Sequence, residues 1–219
     1  IGKRMGLPVN KLICASNDNK VLFDFFTTGT YDKKRDFILT SSPSMDILIS
    51  SNLERLIYLS CGADADVNRQ MMQDLATKGE YTITSQMRAF MADFISGYAD
   101  EKTNAAQIKK LYEDTGYVID THTGVASAVY ENYRKETRDK TKTVIASTAS
   151  PYKFSRSVVS AIENIDENMD EWAVVDELQK LSRVAIPAAV EDIKTAPVRH
   201  NLECDVDQME NTVADILKM

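Results

Sequence analysis

Three hydroxyl side chains lie where a predicted strand meets a predicted helix, in the run Ser147-Thr148-Ala149-Ser150. The preceding Val144-Ile145-Ala146 has the apolar character of a buried parallel strand. Ser150 followed by Pro151 is typical of a helix N-cap with proline at the first helical position. In open α/β sheets, ligands bind at such junctions. The alternative is an ordinary strand-to-helix loop that binds nothing.

A second unit of strand, polar turn and helix begins near Val9. The pattern predicts a strand over residues 9–16, a polar turn containing Asn17 and Asn19, and a helix over residues 20–28. The two side-chain amides are candidates for holding a polar ligand. The alternative is that they serve the turn itself, since asparagine favours turns.

Asn52 and Arg55 are three positions apart near the start of another predicted helix, which begins at Ser50 or Ser51 with Glu54 forming a capping box. Free N–H groups and the helix dipole make such a start suitable for an anion. The alternative is a solvated Asn52 and an Arg55 that pairs with Glu54 or Asp46.

His122 follows Asp120 in a turn between a predicted strand over residues 116–120 and a predicted helix over residues 125–137. A Ser-His-Asp hydrolase would also need a serine presented by a sharp turn, and the sequence has no Gly-x-Ser-x-Gly motif. The pattern therefore argues against hydrolysis. We expect His122 to be held by hydrogen bonds beside the helix start.

The remaining pattern is rich in helices. Residues 64–116 have helical spacing, including Met87, Phe90, Met91, Phe94 and Ile95, with Gly97 as a helix terminator and a short strand near residues 80–84. Helices are also predicted over residues 157–164, 171–183, 187–193 and 206–219. The sequence thus predicts an α/β fold with a mostly parallel sheet and helix-rich middle and C-terminal segments.

Composition excludes several classes of function. The net charge is −7 with no basic cluster, which argues against nucleic acid and anionic membranes as partners. No apolar run approaches the roughly 20 residues that a membrane span needs. Cys14, Cys61 and Cys204 are far apart and, with two histidines, form no zinc-site spacing. We expect buried thiols, a reducing compartment and a cytoplasmic location.

The first residues have the features of a final helical turn. Lys3 and Arg4 suit a helix C-terminus, Gly6 suits the position after it, and Pro8 prevents continuation. A helix end without a helix start leads us to expect a part of a longer protein.

Five short segments, in order along the chain, resemble the threonine synthase family. They are Gly6-Leu7-Pro8-Val9 with Ala15-Ser16-Asn17-Asp18-Asn19, Ser42-Pro43-Ser44-Met45-Asp46-Ile47, Ser50-Ser51-Asn52-Leu53-Glu54-Arg55-Leu56, Asp120-Thr121-His122-Thr123-Gly124-Val125, and Ser147-Thr148-Ala149-Ser150-Pro151-Tyr152-Lys153-Phe154. The resemblance implies a pyridoxal-phosphate enzyme of fold type II. Residues 1–219 would be a C-terminal portion of its large catalytic domain, with a helix-rich insertion at about 64–116.

The resemblance also implies roles for particular residues. Thr148 would face the pyridine nitrogen of pyridoxal phosphate, with Ser147 and Ser150 beside it, although relatives often have histidine where this chain has Ser150. The lysine that forms the Schiff base, and the phosphate-binding loop, would precede Ile1, so no lysine here is expected to be catalytic. Asn17, Asn19, Ser42, Asn52 and Arg55 are the residues expected to bind substrate.

The implied reaction converts O-phospho-L-homoserine and water to L-threonine and phosphate, and this chain alone is expected to be inactive. One alternative is a related phospho-lyase that acts on the same substrate and stops at a keto acid. Another is a non-catalytic binding chain. A doubly wound sheet that lacks its first strands has an open apolar edge, which predicts self-association.

Overall fold

The computed structural model describes residues 1–218 and contains two compact units, Ile1–Ala185 and a second that begins at Ile186. In the larger unit the strands are β1 Leu12–Ser16, β2 Thr30–Asp32, β3 Glu80–Thr82 and β4 Phe94–Tyr98. Its helices are α1 Val21–Thr28, α2 Leu53–Ser60, α3 Ala65–Thr77, α4 Ser85–Phe90, α5 Glu101–Thr115, α6 Thr121–Thr137, α7 Ser155–Ile162 and α8 Glu171–Ser182. Short 3-10 helices span Gly2–Met5, Pro43–Met45 and Pro151–Phe154.

Two small sheets organise the larger unit. β1 and β4 pair in parallel with Leu12 opposite Phe94 and Ser16 opposite Tyr98, and β2 and β3 pair antiparallel. β1 and β4 are distant in sequence, as the crossover connection of a parallel pair requires. The predicted class, α/β with a parallel sheet and many helices, is confirmed.

The β2–β3 pair lies over an aromatic core. The rings of Tyr31 and Tyr81 stack with centroids 5.5 Å apart, and Phe25 lies 5.9 Å from Tyr31. All three side chains are buried together with Ile57 and Met87. Burial of such large apolar side chains is the main source of stability here, at about 1.5–3 kcal/mol for each. This core fixes α1, and therefore the polar turn that precedes it.

Helix α6 packs on the β1–β4 sheet and carries Asp120 and His122 at its start. Val125, Ala128 and Val129 are buried against Ile13 and Ala15 of β1. The contact is close because β4 has glycine at position 97, where a Cβ atom would lie 2.7 Å from Val129 Cγ1. The first turn of α6 is thereby held at the carboxyl end of the sheet.

Two predicted strands are wrong. Residues 144–146 form no strand, and the side chain of Val144 is 94% exposed. Residues 116–120 are also irregular, although Val118 and Ile119 are buried. A strand exists only where a neighbour completes its hydrogen bonds, and within residues 1–218 the parallel sheet comprises β1 and β4 alone.

The predicted helix through Phe94 and Ile95 is also wrong. Helix α4 ends at Phe90, and residues 94–98 form β4. The apolar spacing fits both structures, and pairing with β1 decides between them. The predicted capping box is absent too, because Asn52 is the N-cap of α2 and makes no side-chain cap bond. Gly6, by contrast, ends the first helical turn in the left-handed conformation as predicted.

The smaller unit contains α9 Ala188–Thr195, the 3-10 helix Val206–Gln208 and α10 Met209–Leu217. These helices agree with the predicted ones to within a few residues, while the predicted end at Met219 lies outside the described residues. Many of the unit's apolar side chains are exposed, including Val206, Met209 and Val213. No helix within residues 1–218 is long and apolar enough to cross a membrane.

Candidate functional site

The turn after β1 is built around the carboxylate of Asp46. Its Oδ1 accepts from Asn17 Nδ2 at 2.7 Å, Asn19 Nδ2 at 3.0 Å and Thr40 Oγ1 at 2.7 Å. Its Oδ2 accepts the backbone N–H of Thr40 at 2.9 Å. Both asparagines are buried and Asp46 is half-buried, and the carboxylate accepts hydrogen bonds from both amides.

The same amides fix the loop that follows β2. Asn19 Nδ2 donates to Ile38 O at 2.6 Å and its Oδ1 accepts from Ile38 N at 2.9 Å. Asn17 Nδ2 lies 3.0 Å from Ser42 Oγ, and Ser42 is fully buried. Three of the predicted substrate-binding residues, Asn17, Asn19 and Ser42, therefore meet in one network. Asn19 does not cap α1, whose N-cap is Lys20 without a side-chain cap bond, because the Asn19 side chain serves this loop.

Asp120 and His122 form a second buried cluster at the start of α6. Asp120 Oδ1 accepts the N–H groups of His122 at 2.8 Å and Thr123 at 3.3 Å, which is an N-cap of the usual kind. His122 Nδ1 lies 3.2 Å from the same oxygen, while Nε2 accepts the N–H of Ser44 at 3.2 Å. His122 is thus held by hydrogen bonds beside a helix start, as predicted. It also links this helix start to the Ser-Pro-Ser turn.

The hydroxyl run after residue 146 meets the same helix start. Ser147 Oγ lies 3.0 Å from Thr123 Oγ1, which also bonds Asp120. The ring of Phe154 lies 4.8 Å from that of His122. Ser150 accepts the N–H of Tyr152 at 3.3 Å, so its predicted N-cap role is confirmed. Thr148 is exposed and lines a groove that also contains Ser44 and His122.

Asn52 and Arg55 occupy the exposed start of α2. Arg55 Nη1 donates to Asn52 Oδ1 at 3.1 Å, and both side chains are exposed. The expected alternative partner Asp46 is instead bonded to Asn17, Asn19 and Thr40. The structure therefore brings Ser147, Thr148, Ser42, Asn17 and Asn19 to one end of the sheet through shared contacts. It records no contact that joins Asn52 or Arg55 to them.

The sequence interpretation missed two residues that organise this region, Asp46 and Thr123. Asp46 is the single acidic residue in an otherwise apolar and hydroxyl-rich stretch, which is a detectable signal for a buried hydrogen-bond acceptor. Thr123 follows an Asp-x-His turn, where a hydroxyl near a helix start can bond the capping carboxylate. Within residues 1–218 no group of acidic, histidine and cysteine side chains could hold a metal ion.

Comparison with known proteins identifies the fold. A family model described as threonine synthase, C-terminal, matches residues 123–213. Threonine synthase of Saccharomyces cerevisiae is 35% identical over 196 residues, which cover 82% of this chain and 38% of that protein. Human threonine synthase-like 1 is 37% identical over 74% of this chain and 22% of its own length.

Solved structures give the same result. The crystal structure of yeast threonine synthase superposes on 100% of this chain and 44% of its own chain, with a TM-score of 0.81 and 28% identity. The pyridoxal-phosphate-bound threonine synthase of Brucella melitensis covers 83% of this chain and 42% of its own, with a TM-score of 0.65 and 30% identity. The chain spans less than half the length of these relatives. It belongs to the threonine synthase family and corresponds to a C-terminal part of a fold type II pyridoxal-phosphate enzyme.

Proposed function

We propose that this chain is part of an enzyme that converts O-phospho-L-homoserine and water to L-threonine and phosphate with pyridoxal phosphate. The observation that carries the proposal is the meeting of two hydroxyl-bearing turns at the start of α6. His122 binds the turn at Ser44, and Thr123 binds Ser147. When bound, pyridoxal phosphate supplies an electron sink for bond cleavage on the amino-acid substrate.

The residues of this region fit one side of that cofactor. Thr148 is exposed on the groove wall, so its hydroxyl is accessible to a ring nitrogen. A neutral hydroxyl can donate or accept, and it does not force the nitrogen to stay protonated. Ser147 is held by Thr123, and Ser150 is occupied as a helix cap. We therefore assign Thr148 to direct contact, and Ser147 and Ser150 to holding the turn.

On the substrate side, the Asp46 network holds the buried Ser42 and fixes the loop over residues 38–46. Asn17 and Asn19 each donate to Asp46 and thereby hold the loop that carries Ser42. In this proposal the two asparagines bind substrate and also position that loop. Arg55 and Asn52, at the exposed start of α2, are the residues proposed to attract the substrate phosphate. We also propose that the chain is a C-terminal portion of the large catalytic domain of this enzyme, that it lies in the cytoplasm, and that it self-associates through an open sheet edge.

No lysine of this chain is assigned as the cofactor anchor. Lys153 lies with its ammonium 5.4 Å over the Phe154 ring, which is a stable position for a cation but gives it no proton acceptor. The purified chain incubated with pyridoxal phosphate and then reduced with borohydride should show no single labelled lysine by peptide mass spectrometry. Stoichiometric labelling at Lys142 or Lys153 would contradict the assignment and would place an anchor within this chain.

The reaction itself is tested in an intact enzyme that contains this sequence. Arg55→Ala should raise the KM for O-phospho-L-homoserine about 10-fold or more with little change in kcat, because a charge-assisted phosphate contact contributes about 1.5–3 kcal/mol. Arg69→Ala is the matched control, since Arg69 is another exposed helical arginine, paired with Asp66. An unchanged KM would reject Arg55. Product analysis decides the reaction: L-threonine supports the proposal, and a keto acid favours the phospho-lyase.

A further inference from the structure

A series of two hydrogen bonds connects the buried start of α6 with the exposed turn that carries Thr148. Thr123 Oγ1 lies within hydrogen-bond distance of Asp120 Oδ2 on one side and of Ser147 Oγ, at 3.0 Å, on the other. Asp120 is fully buried and Thr123 is buried, whereas Ser147 is exposed. We call these three side chains the hydroxyl relay. It joins an interior carboxylate to the surface of the turn through one hydroxyl group.

The direction of these two bonds follows from the number of protons. Thr123 has a single hydroxyl proton and two oxygen neighbours, and a carboxylate oxygen can only accept. A hydrogen bond to an ionised group is about twice as strong as one between neutral groups, so the proton of Thr123 goes to Asp120. Thr123 Oγ1 then accepts the proton of Ser147. On its exposed side Ser147 retains lone pairs alone, so it can accept a hydrogen bond there and cannot donate one.

The other oxygen of Asp120 keeps the carboxylate in this orientation. Oδ1 accepts the N–H of His122 at 2.8 Å and of Thr123 at 3.3 Å, and it lies 3.2 Å from His122 Nδ1. Rotation of the carboxylate away from these groups would break the cap of α6, so Oδ2 stays directed at the Thr123 hydroxyl. The capping interaction that begins the helix therefore also orders the protons of the hydroxyl relay.

Thr148 lies between two fixed points of the turn. Ser147 is bound to Thr123 on one side, and on the other side Ser150 accepts the N–H of Tyr152 at 3.3 Å. Thr148 lines a groove of about 740 Å³, and within residues 1–218 its hydroxyl has no hydrogen-bond partner. The proton of Thr148 is therefore available to a molecule in the groove, while that of Ser147 is not.

We propose that Asp120 and Thr123 are positioning residues that determine which hydroxyl of the turn donates to pyridoxal phosphate. Because Ser147 gives its proton to Thr123, Thr148 is the member of this adjacent pair that can donate into the groove. An accepting ring nitrogen then meets one donor in one position, with no competing donor at Ser147. Asp120 and Thr123 act through Ser147, since both are buried. The inference rests on the proposed contact of Thr148 with the cofactor and adds the residues that make it selective.

The order of the bonds is measured by nuclear magnetic resonance in the 219-residue chain without cofactor. A buried hydroxyl proton that is bonded to a carboxylate exchanges slowly with water, so Thr123 should give a hydroxyl resonance. Ser147→Ala should leave that resonance in place, because its acceptor is Asp120. The hydroxyl removed is exposed, so the fold is retained. Loss of the resonance in Ser147→Ala, or its absence from the unsubstituted chain, would overturn the proposal.

Asp120→Asn should reverse the hydroxyl relay. Asparagine keeps an oxygen for the cap of α6, but its amide donates to the Thr123 hydroxyl, which then donates to Ser147. In this background Ser147→Ala should speed exchange of the Thr123 hydroxyl proton at least about 10-fold, the factor that corresponds to loss of one hydrogen bond. If Ser147→Ala has the same effect on the Thr123 proton with and without Asp120→Asn, the assigned order is contradicted.

An intact enzyme that contains this sequence provides a second readout. Thr123→Val should release pyridoxal phosphate during dialysis at least about 10-fold faster and lower kcat at least about 10-fold, with the KM for O-phospho-L-homoserine changed less than about 2-fold. Thr123→Ser retains the hydroxyl and should restore both quantities. Ser127→Ala is the matched control, because Ser127 is a buried residue one turn further along α6 whose hydroxyl accepts from Gln107 Nε2 at 2.9 Å.

Cofactor release from Thr123→Val at the rate of the control would overturn the proposal, as would a Thr123→Ser enzyme that loses cofactor as fast as Thr123→Val. Turnover by the intact enzyme tests the proposed reaction separately. If the enzyme retains pyridoxal phosphate but forms no L-threonine, the proposed reaction is rejected, and the resonance and release measurements still decide the role of Asp120 and Thr123.

Discussion

At the scale of single residues, the tautomer of His122 follows from its two partners. Nε2 accepts the N–H of Ser44, so this nitrogen carries no proton. Nδ1 faces a carboxylate oxygen of Asp120, which can only accept, so the proton is on Nδ1. A neutral imidazole in this arrangement joins two turns, and it has no lone pair free for proton abstraction.

We expect His122→Gln to be more stable than His122→Asn by about 1 kcal/mol or more, because the longer amide can still accept from Ser44 and the shorter one leaves that N–H unpaired. Urea unfolding measures the difference, and exchange of the Ser44 amide localises it. Both variants lose the ring contact with Phe154, so the comparison isolates the acceptor. Equal stability, with equal exchange at Ser44, would show that the Nε2 bond contributes nothing.

The thiol of Cys14 illustrates how burial controls reactivity. Burial in β1 raises the pKa of Cys14 to about 11, whereas the thiol of Cys204 is exposed, contrary to the expectation that all thiols are buried. Only about 0.1% of Cys14 is thiolate at pH 8, and thiolate is the species that reacts. Iodoacetamide should therefore label Cys204 at least about 100-fold faster than Cys14, as measured by peptide mass spectrometry. Comparable rates in the folded chain would refute this.

At the scale of elements, the stretch after α6 depends on Asp139. Its carboxylate accepts from the Tyr133 hydroxyl at 2.7 Å, from Thr141 N at 2.8 Å and from Thr141 Oγ1 at 2.6 Å. The hydroxyl and N–H of Thr141, followed by the Tyr133 hydroxyl, lower the pKa of Asp139 to about 2. These bonds attach the beginning of this stretch to the last turns of α6.

Because the pKa of Asp139 is lower when the chain is folded, its contribution to stability is complete above about pH 4, the range of an unfolded aspartate. It is lost as the pH falls toward 2. Pepsin should therefore cleave residues 140–146 faster at pH 2 than at pH 3.5, after correction for the enzyme's own pH dependence. Asp139→Asn should remove this difference and cleave quickly at both values. A pH difference that persists in Asp139→Asn would assign the effect to another group.

The elements also show what a sequence can and cannot specify. Helices α1, α7 and α8 were predicted to within about two residues, because caps and apolar spacing are local. The strand at Phe94 was missed because its state depends on pairing with β1, far away in the chain. Val144 is the converse: its apolar run predicts a strand, but no strand among residues 1–218 pairs with it, and its side chain is exposed.

The same distinction between local signals and distant contacts applies to the site. The roles of Ser150 as a cap and His122 as a hydrogen-bonded residue were predictable from adjacent residues. The hydrogen bonds from Asn17 and Asn19 to Asp46 were not predictable, because these residues lie 29 and 27 positions before Asp46 in the chain. Distant contacts of this kind appear only once the fold is known.

At the scale of the whole molecule, the boundary after Ala185 separates two compact units. The larger unit is closed by α8, whose Val174 and Leu178 are fully buried. Tyr152 donates to Val184 O and so fastens the chain beyond α8 to the same unit. A chain shortened to residues 1–185 should therefore melt within about 2 °C of the full chain, since it retains every buried side chain of the larger unit.

A chain shortened to residues 1–170 is the matched control. It loses α8, which packs against α7, and would expose Val158 and Val159 in addition to removing Val174 and Leu178. Each such side chain contributes about 1.5–3 kcal/mol of burial, so the combined loss is comparable to the stability of a whole domain. This shorter chain should show no cooperative transition by circular dichroism. If the chain of residues 1–185 also fails to melt cooperatively, then the residues after 185 are required for the larger unit to fold, and the two units are not independent.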